Sequence, residues 1–133
     1  LEAVAYVGGR VVARKAVKTA GVPAKVVLLP DRSTLGADGE DLSFVTVRVE
    51  DRNGNLCPLA ENLVRFDVQG QGALAAVDNG NAASLESFQA PERKAFGGLA
   101  LLVVRSKRSQ PGSIRVGASS EGLSGSVVTL SAR

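Results

Sequence analysis

From Pro23 onward, turn signals cut the chain into short pieces, and their spacing limits the fold more than any other feature. Pro30, Gly36, Asp38-Gly39, Asn53-Gly54, Gly70, Gly72, Gly112 and Glu121-Gly122 are among them, and about seven short strands parted by such turns are typical of an antiparallel sandwich. The pieces between them have the period of strands. In Leu42 to Glu50, Val45, Val47 and Val49 fall on one face, against Thr46, Arg48 and Glu50 on the other. Phe44 lies on that polar face near the start of the strand, which predicts that this end is covered. In Leu63 to Gln69, Val64, Phe66 and Val68 point inward and Arg65 and Asp67 outward. Leu99 to Arg105 opens as a continuous apolar run and reads as a central strand. Lys25 to Leu29, Leu74 to Val77, Ile114 to Ala118 and Ser124 to Leu130 complete a set of about seven strands. The best helical candidate, Glu86 to Ala95, is interrupted by Pro91.

The fold class is therefore all-β: an immunoglobulin-like antiparallel β-sandwich over residues 22–133. It carries no disulfide, because Cys57 is the only cysteine. Residues 1–21 stand apart. Leu1 to Val7 and Val11 to Thr19 flank Gly8-Gly9 and read as an N-terminal β-hairpin. Thr19-Ala20-Gly21-Val22-Pro23 then reads as a boundary. A lone hairpin is marginal in water, so this one is expected to pack on the sandwich or on an adjacent domain. The chain starts in mid-pattern and reads as a piece of something longer.

Composition removes several functions. With no His, the Ser-His-Asp and Cys-His arrangements and His-based zinc sites are excluded. Cys57 is expected to be a structural thiol. Net charge is +3, without the basic face and interleaved aromatics of a nucleic-acid binder, so no nucleic-acid partner is expected. The longest apolar run, Leu99 to Val104, is too short for a membrane span. No cofactor motif survives inspection. Gly70 and Gly72 precede a strand rather than a helix, so they mark a bend. Asp51, Asn53 and Asn55 mimic the start of a calcium loop, but Leu56 and Asn62 occupy its required Gly and Glu positions. Asp38-Gly39-Glu40-Asp41 reads as a solvated turn.

Asp78 to Gly98 breaks the pattern. It runs roughly 20 residues with no sustained period, longer than a loop inside a compact domain usually is, and such segments tend to be functional. Glu86 and Glu92 could be imagined as a glycosidase carboxylate pair, but they lack a recognisable cleft and sit among basic residues, so they read as loop carboxylates or partners for Arg. Asp78, Asn79, Asn81, Glu86, Phe88, Gln89, Arg93 and Phe96 are the candidate docking or sugar-contact residues. For sugar, Asn79, Asn81, Gln89 and Arg93 would supply the hydrogen bonds, though the stacking Trp of many glycan sites is missing. Otherwise Asn79-Gly80 makes a turn and Phe88 and Phe96 anchor the loop on the sandwich. Truncating a buried Phe96 would then cost roughly 3–5 kcal/mol.

From about Ala24 to its end the chain resembles the C-terminal Ig-like module of family-two glycoside hydrolases, the β-galactosidase group. The resemblance rests on Asp41-Leu42-Ser43-Phe44-Val45-Thr46-Val47 with Asp51 and Gly54, on Asn79-Gly80-Asn81, on Glu86-Ser87-Phe88-Gln89-Ala90-Pro91, and on Arg93-Lys94-Ala95-Phe96-Gly97-Gly98. Where the family often has Gly-Asn-Gly-Asp-Pro, this chain has Asp78-Asn79-Gly80-Asn81-Ala82. Residues 1–21 look like the last hairpin of the preceding module. The resemblance implies a periplasmic or secreted parent that hydrolyses terminal β-galactosides with retention, using two glutamates in a (β/α)₈ barrel. Nothing in this chain matches that barrel, so no catalytic residue carries over. The module would be an accessory domain, its partners being other domains of the parent or a neighbouring subunit. An ancillary carbohydrate-binding module, with weak carbohydrate as partner, is the alternative.

Overall fold

A computed structural model describes residues 1–16 and 18–133. Eleven strands form, and no helix is present among the described residues. They are β1 (Glu2–Val7), β2 (Arg10–Ala16), β3 (Lys25–Pro30), β4 (Thr34–Leu35), β5 (Leu42–Glu50), β6 (Leu63–Gly70), β7 (Gly72–Asp78), β8 (Glu92–Lys94), β9 (Leu99–Ser106), β10 (Gly112–Ser119) and β11 (Ser126–Ala132).

The sandwich has two sheets. One is four-stranded, in the order β3-β5-β9-β7, and the other five-stranded, in the order β4-β11-β10-β6-β8. The seven longer strands of the sandwich match those legible in the sequence. β4 and β8 are additional and too short to leave a periodic signal. All pairings within the two sheets are antiparallel except β4 with β11, where Thr34 lies beside Ser131 and Leu35 beside Ala132. β3, with Pro30 at its end, is an edge strand, as a residue without an N–H requires.

The inward residues of both sheets make one core. Val45, Val47, Val64, Leu102, Val104, Ile114, Val116 and Leu130 are all at most 1% exposed. These are largely the positions whose alternation set the strand assignment. Cys57 belongs to a smaller cluster with Val49, Ala60 and Ala95. Burial pushes its thiol above the ordinary range, as suits a structural residue. Phe44 departs from expectation: it is 44% exposed, because nothing among the described residues covers it on the outer side of the four-stranded sheet.

The hairpin β1–β2 forms as expected, with Gly8 and Gly9 both at positive φ in its turn. Its second strand ends at Ala16; Val17, inside the predicted strand, lies outside the described residues. Of the described residues of β1 and β2 only Val4 is half-buried. The hairpin therefore does not use the sandwich as its support.

Asp51 is buried, and its carboxylate accepts the Gly21 N–H at 2.8 Å and the Asn53 and Asn55 N–H groups at 2.9 Å. These donors, the Gly21 N–H foremost, hold its pKa far below the ordinary carboxylate range. The calcium-like Asp51-x-Asn53-x-Asn55 pattern is thus a turn organised by its own aspartate, which also fastens Gly21.

Candidate functional site

The stretch from Asp78 to Gly98 is an ordered structure with its own internal logic. Five of its backbone donors are met by its own short polar side chains, each accepting from the N–H two residues ahead. Asp78 Oδ1 accepts from Gly80 N–H at 3.2 Å, Asn79 Oδ1 from Asn81 at 2.9 Å, and Asn81 Oδ1 from Ala83 at 3.0 Å. Ser84 Oγ then accepts from Glu86 N–H at 3.3 Å and Ser87 Oγ from Gln89 at 3.2 Å. Asp, Asn and Ser are the residues that make such turns, which is why the segment shows neither a helical nor a strand period.

Three backbone ties fix this chain of turns to the sandwich. Val77 N–H donates to Phe88 O at 2.7 Å, Phe66 N–H to Pro91 O at 2.8 Å, and β8 pairs with β6 from Leu63↔Lys94 to Arg65↔Glu92. The stretch ends in a tight turn at Gly97 and Gly98, both at positive φ, between Phe96 and Leu99. Glycine is required at 98: a Cβ there would sit 2.3 Å from Cys57 O.

At the centre lies Arg93. It occupies the inward position of β8 and is 0% exposed. Its Nη1 donates to Glu86 O at 3.0 Å and its Nη2 to Asn79 Oδ1 at 3.2 Å. The Asp78 carboxylate stands 3.5 Å from Nη2 and that of Glu86 3.6 Å from Nε. The guanidinium carbon lies 5.1 Å from the centre of the Phe88 ring. One cation thus joins the first turn, the middle and the aromatic of the stretch. For Asp78, the Gly80 and Asn79 N–H groups and then the charge of Arg93 hold the pKa below the ordinary value. For Glu86, burial pulls upward, but the Lys94 N–H, the Ser84 hydroxyl and the charges of Arg93 and Lys94 outweigh it, so its pKa is also lowered.

These positions revise two sequence readings. Arg93 cannot hydrogen-bond a sugar or partner from the surface, because the stretch is folded around it. Phe88 and Phe96 are not buried anchors: they are 59% and 46% exposed, and the anchoring belongs to Arg93. The alternation over Glu92–Ala95, with Arg93 and Ala95 buried, was the available signal, but a charged residue at an inward position conceals it. The structure brings Asp78, Asn79, Glu86, Phe88 and Arg93 together. Asn81 lies one turn further on, Gln89 is exposed, and Phe96 sits at the far end. Glu92 pairs with Arg65 at 3.3 Å, so the two glutamates considered as a catalytic pair serve separate arginines.

Outward, the same framework presents apolar groups. Leu85 is fully exposed, and Phe88, Phe96 and the nearby Leu59 are exposed as well. Beside them an open groove of about 590 Å³ is lined by Glu61, Asn79, Asn81, Glu86, Lys94 and Phe96, among others. Within it, Asn79 and Glu86 already direct polar atoms into the loop's own bonds.

Residues 26–129 match the family model of glycoside hydrolase family 2 C-terminal domain 5. The chain is 52% identical over 132 residues to Beta-galactosidase BoGH2A of Bacteroides ovatus, covering 99% of this chain and 15% of that protein. The crystal structure of a glycosyl hydrolase family 2 member from Bacteroides cellulosilyticus is similar, with a TM-score of 0.91 and 39% identity over 99% of this chain and 17% of that one. A beta-glycosidase from Bacteroides vulgatus gives a TM-score of 0.94 and 25% identity over 98% of this chain and 17% of that one. The chain thus spans between 15% and 17% of the length of these relatives.

Proposed function

Since the chain belongs to the glycoside hydrolase family 2 C-terminal domain 5 family, we propose that it is a non-catalytic accessory domain of a β-galactosidase-like glycoside hydrolase. In this reading the parent cleaves terminal β-galactosides with retention at a centre outside this chain. Residues 22–133 pack against its other domains, and residues 1–21 are the last hairpin of the preceding module. The observation that carries the docking role is the stretch from Asp78 to Gly98. Its backbone is held rigidly around a buried Arg93, while Leu85, Phe88 and Phe96 face solvent. A preordered surface of apolar pegs binds without the entropy cost of ordering a loop. The exposed hairpin supports the same reading, since a two-stranded ribbon on its own is marginal.

Deleting residues 22–133 from the parent polypeptide should lower its melting temperature or break its assembly. An unchanged melting temperature together with an unchanged assembly state refutes the accessory role. The 133-residue chain assayed on a chromogenic β-galactoside should show only background. The groove beside Phe96 favours the alternative of an ancillary carbohydrate-binding module. Titration with galactosides and polysaccharides separates the two: saturable binding that is abolished by Phe96→Ala moves the function from docking to sugar capture.

A further inference from the structure

The two outer faces of the sandwich differ in kind. On the five-stranded sheet the outward positions carry Arg65, Asp67, Gln69, Arg115, Thr129 and Ser131, and Val127 is the one large apolar residue exposed there among the described residues. On the four-stranded sheet the outward positions of three adjacent strands carry Val27, Leu29, Phe44, Leu99, Leu101 and Val103, with Thr46 and the Glu50-paired Arg48 among them on the central strand. Leu29, Phe44 and Leu99 are 49%, 44% and 37% exposed. The register makes Leu29, Phe44, Leu101 and Val103 one patch, while Val27 and Leu99 flank Arg48 at its end. Phe44 stands opposite Val103, and Leu29 and Leu101 both flank Thr46 in the next row. A sandwich whose outer faces both meet water should alternate on both sheets. Here β5 alternates through Thr46 and Arg48, but its neighbours β3 and β9 do not: Val26–Leu29 and Leu99–Val104 are apolar on both faces, the pattern of strands covered on both sides.

We infer that the outer face of β3-β5-β9 is a second docking surface, and that its occupant is another module of the same longer polypeptide. This deepens the accessory-domain reading and rests on it. Three observations select the occupant. First, the face is small. Three strands about 4.8 Å apart and three residue rows about 7 Å apart give roughly 200–300 Å², well under the ~800 Å² per partner of a standard interface between separate molecules. Contacts between tethered domains are smaller, which suits such a face. Second, 85% of the Bacteroides ovatus relative lies outside the matched region (100% less the 15% covered), so covering modules are available. Third, the face runs into the docking stretch. Phe96 pairs with Leu99 across the Gly97-Gly98 turn, and bridge partners share a face, so Phe96 extends the row of Leu99, Leu101 and Val103. At the rim, Arg105 is exposed and points outward, fitting an acidic edge on the covering module.

Thiol labelling tests this. Phe44→Cys places a thiol on the apolar face and Thr129→Cys one on the polar face, with the buried native Cys57 as a slow internal reference. In the 133-residue chain both new thiols should react with a maleimide at similar rates. In the longer polypeptide that carries the chain, Phe44→Cys should slow on the order of tenfold or more, as closed sites do, while Thr129→Cys is unchanged. Leu29→Cys on the same face replaces Phe44→Cys if that variant fails to fold. Equal rates at the two faces in the longer polypeptide overturn the inference, and leave the accessory reading standing if deletion of residues 22–133 still lowers the melting temperature. Protection already present in the 133-residue chain and growing with its concentration assigns the face to a second copy, and overturns the inference as well.

Discussion

Removing Arg93 is the sharpest perturbation of the candidate site. Arg93→Ala takes away two charge-assisted hydrogen bonds, to Glu86 O at 3.0 Å and Asn79 Oδ1 at 3.2 Å, and leaves a hollow in a fully buried position. Such bonds contribute about 1.5–3 kcal/mol each, so the gross loss is roughly 3–6 kcal/mol. The carboxylates of Asp78 and Glu86 have side chains 48% and 28% exposed, so water takes over part of their solvation and the ion-pair contribution is discounted. A net destabilisation of about 2–4 kcal/mol remains. For a domain of this size that corresponds to a fall in melting temperature of roughly 10 °C. Urea unfolding of the 133-residue chain followed by circular dichroism measures it. Amide exchange at Val77 and Phe66, whose N–H groups hold the stretch through Phe88 O and Pro91 O, shows where the damage falls. Arg93→Lys keeps the charge but cannot reach both acceptors with a planar fork, and should recover less than half of the loss. A cost below about 1 kcal/mol for Arg93→Ala, with amide protection at Val77 and Phe66 intact, would show that the turns hold themselves and that Arg93 is not their keystone.

Three further outcomes follow from the geometry. Phe96→Ala should cost less than about 1 kcal/mol in the 133-residue chain because the ring is 46% exposed; a larger loss in a thermal melt would mean that the ring supports the fold. Gly98→Ala should destabilise by at least about 2 kcal/mol, from positive φ and the approach to Cys57 O; chemical denaturation checks this, and a neutral result would require a shifted Cys57–Ala60 turn. The depressed Asp51 contributes stability that is fully present above its unfolded pKa of about 3.9 and is lost as pH falls below that value toward its much lower folded one. Asp51→Asn should flatten the stability profile between about pH 4 and 2, and an unaltered acid limb would assign that limb to other carboxylates.

The sandwich was legible because its core is built from alternation. β5 and β6 read correctly since Val45, Val47, Val64 and Phe66 alternate with charged or hydroxylated neighbours. β8 was not legible: three residues cannot show a period, and its inward residue is an arginine. The exposure of Phe44, Phe88 and Phe96 was missed for a different reason. An aromatic residue is by default expected inside, and whether it is covered depends on surfaces the segment itself does not describe. The stretch around Arg93 was recognisable as unusual, yet its plan was not, because turns made by side chains two residues apart leave no hydrophobic pattern.

The parallel contact of β4 with β11 sets an order of events during synthesis. Thr34 and Leu35 meet Ser131 and Ala132 across nearly the whole sandwich, and Ala37 N–H reaches Arg133 O at 2.7 Å. β11 also closes β10 along its length, from Gly112↔Ala132 to Ala118↔Ser126. A nascent chain that has emerged only as far as β10 therefore carries one open edge in the middle of its larger sheet and an unattached β4. Folding of such a high-contact-order sandwich is intrinsically slow, in the millisecond-to-second range, and here it waits for the last strand as well. Ribosome-bound chains ending before Ser126 should be protease-sensitive throughout, and protection should arrive in a single step once β11 is out.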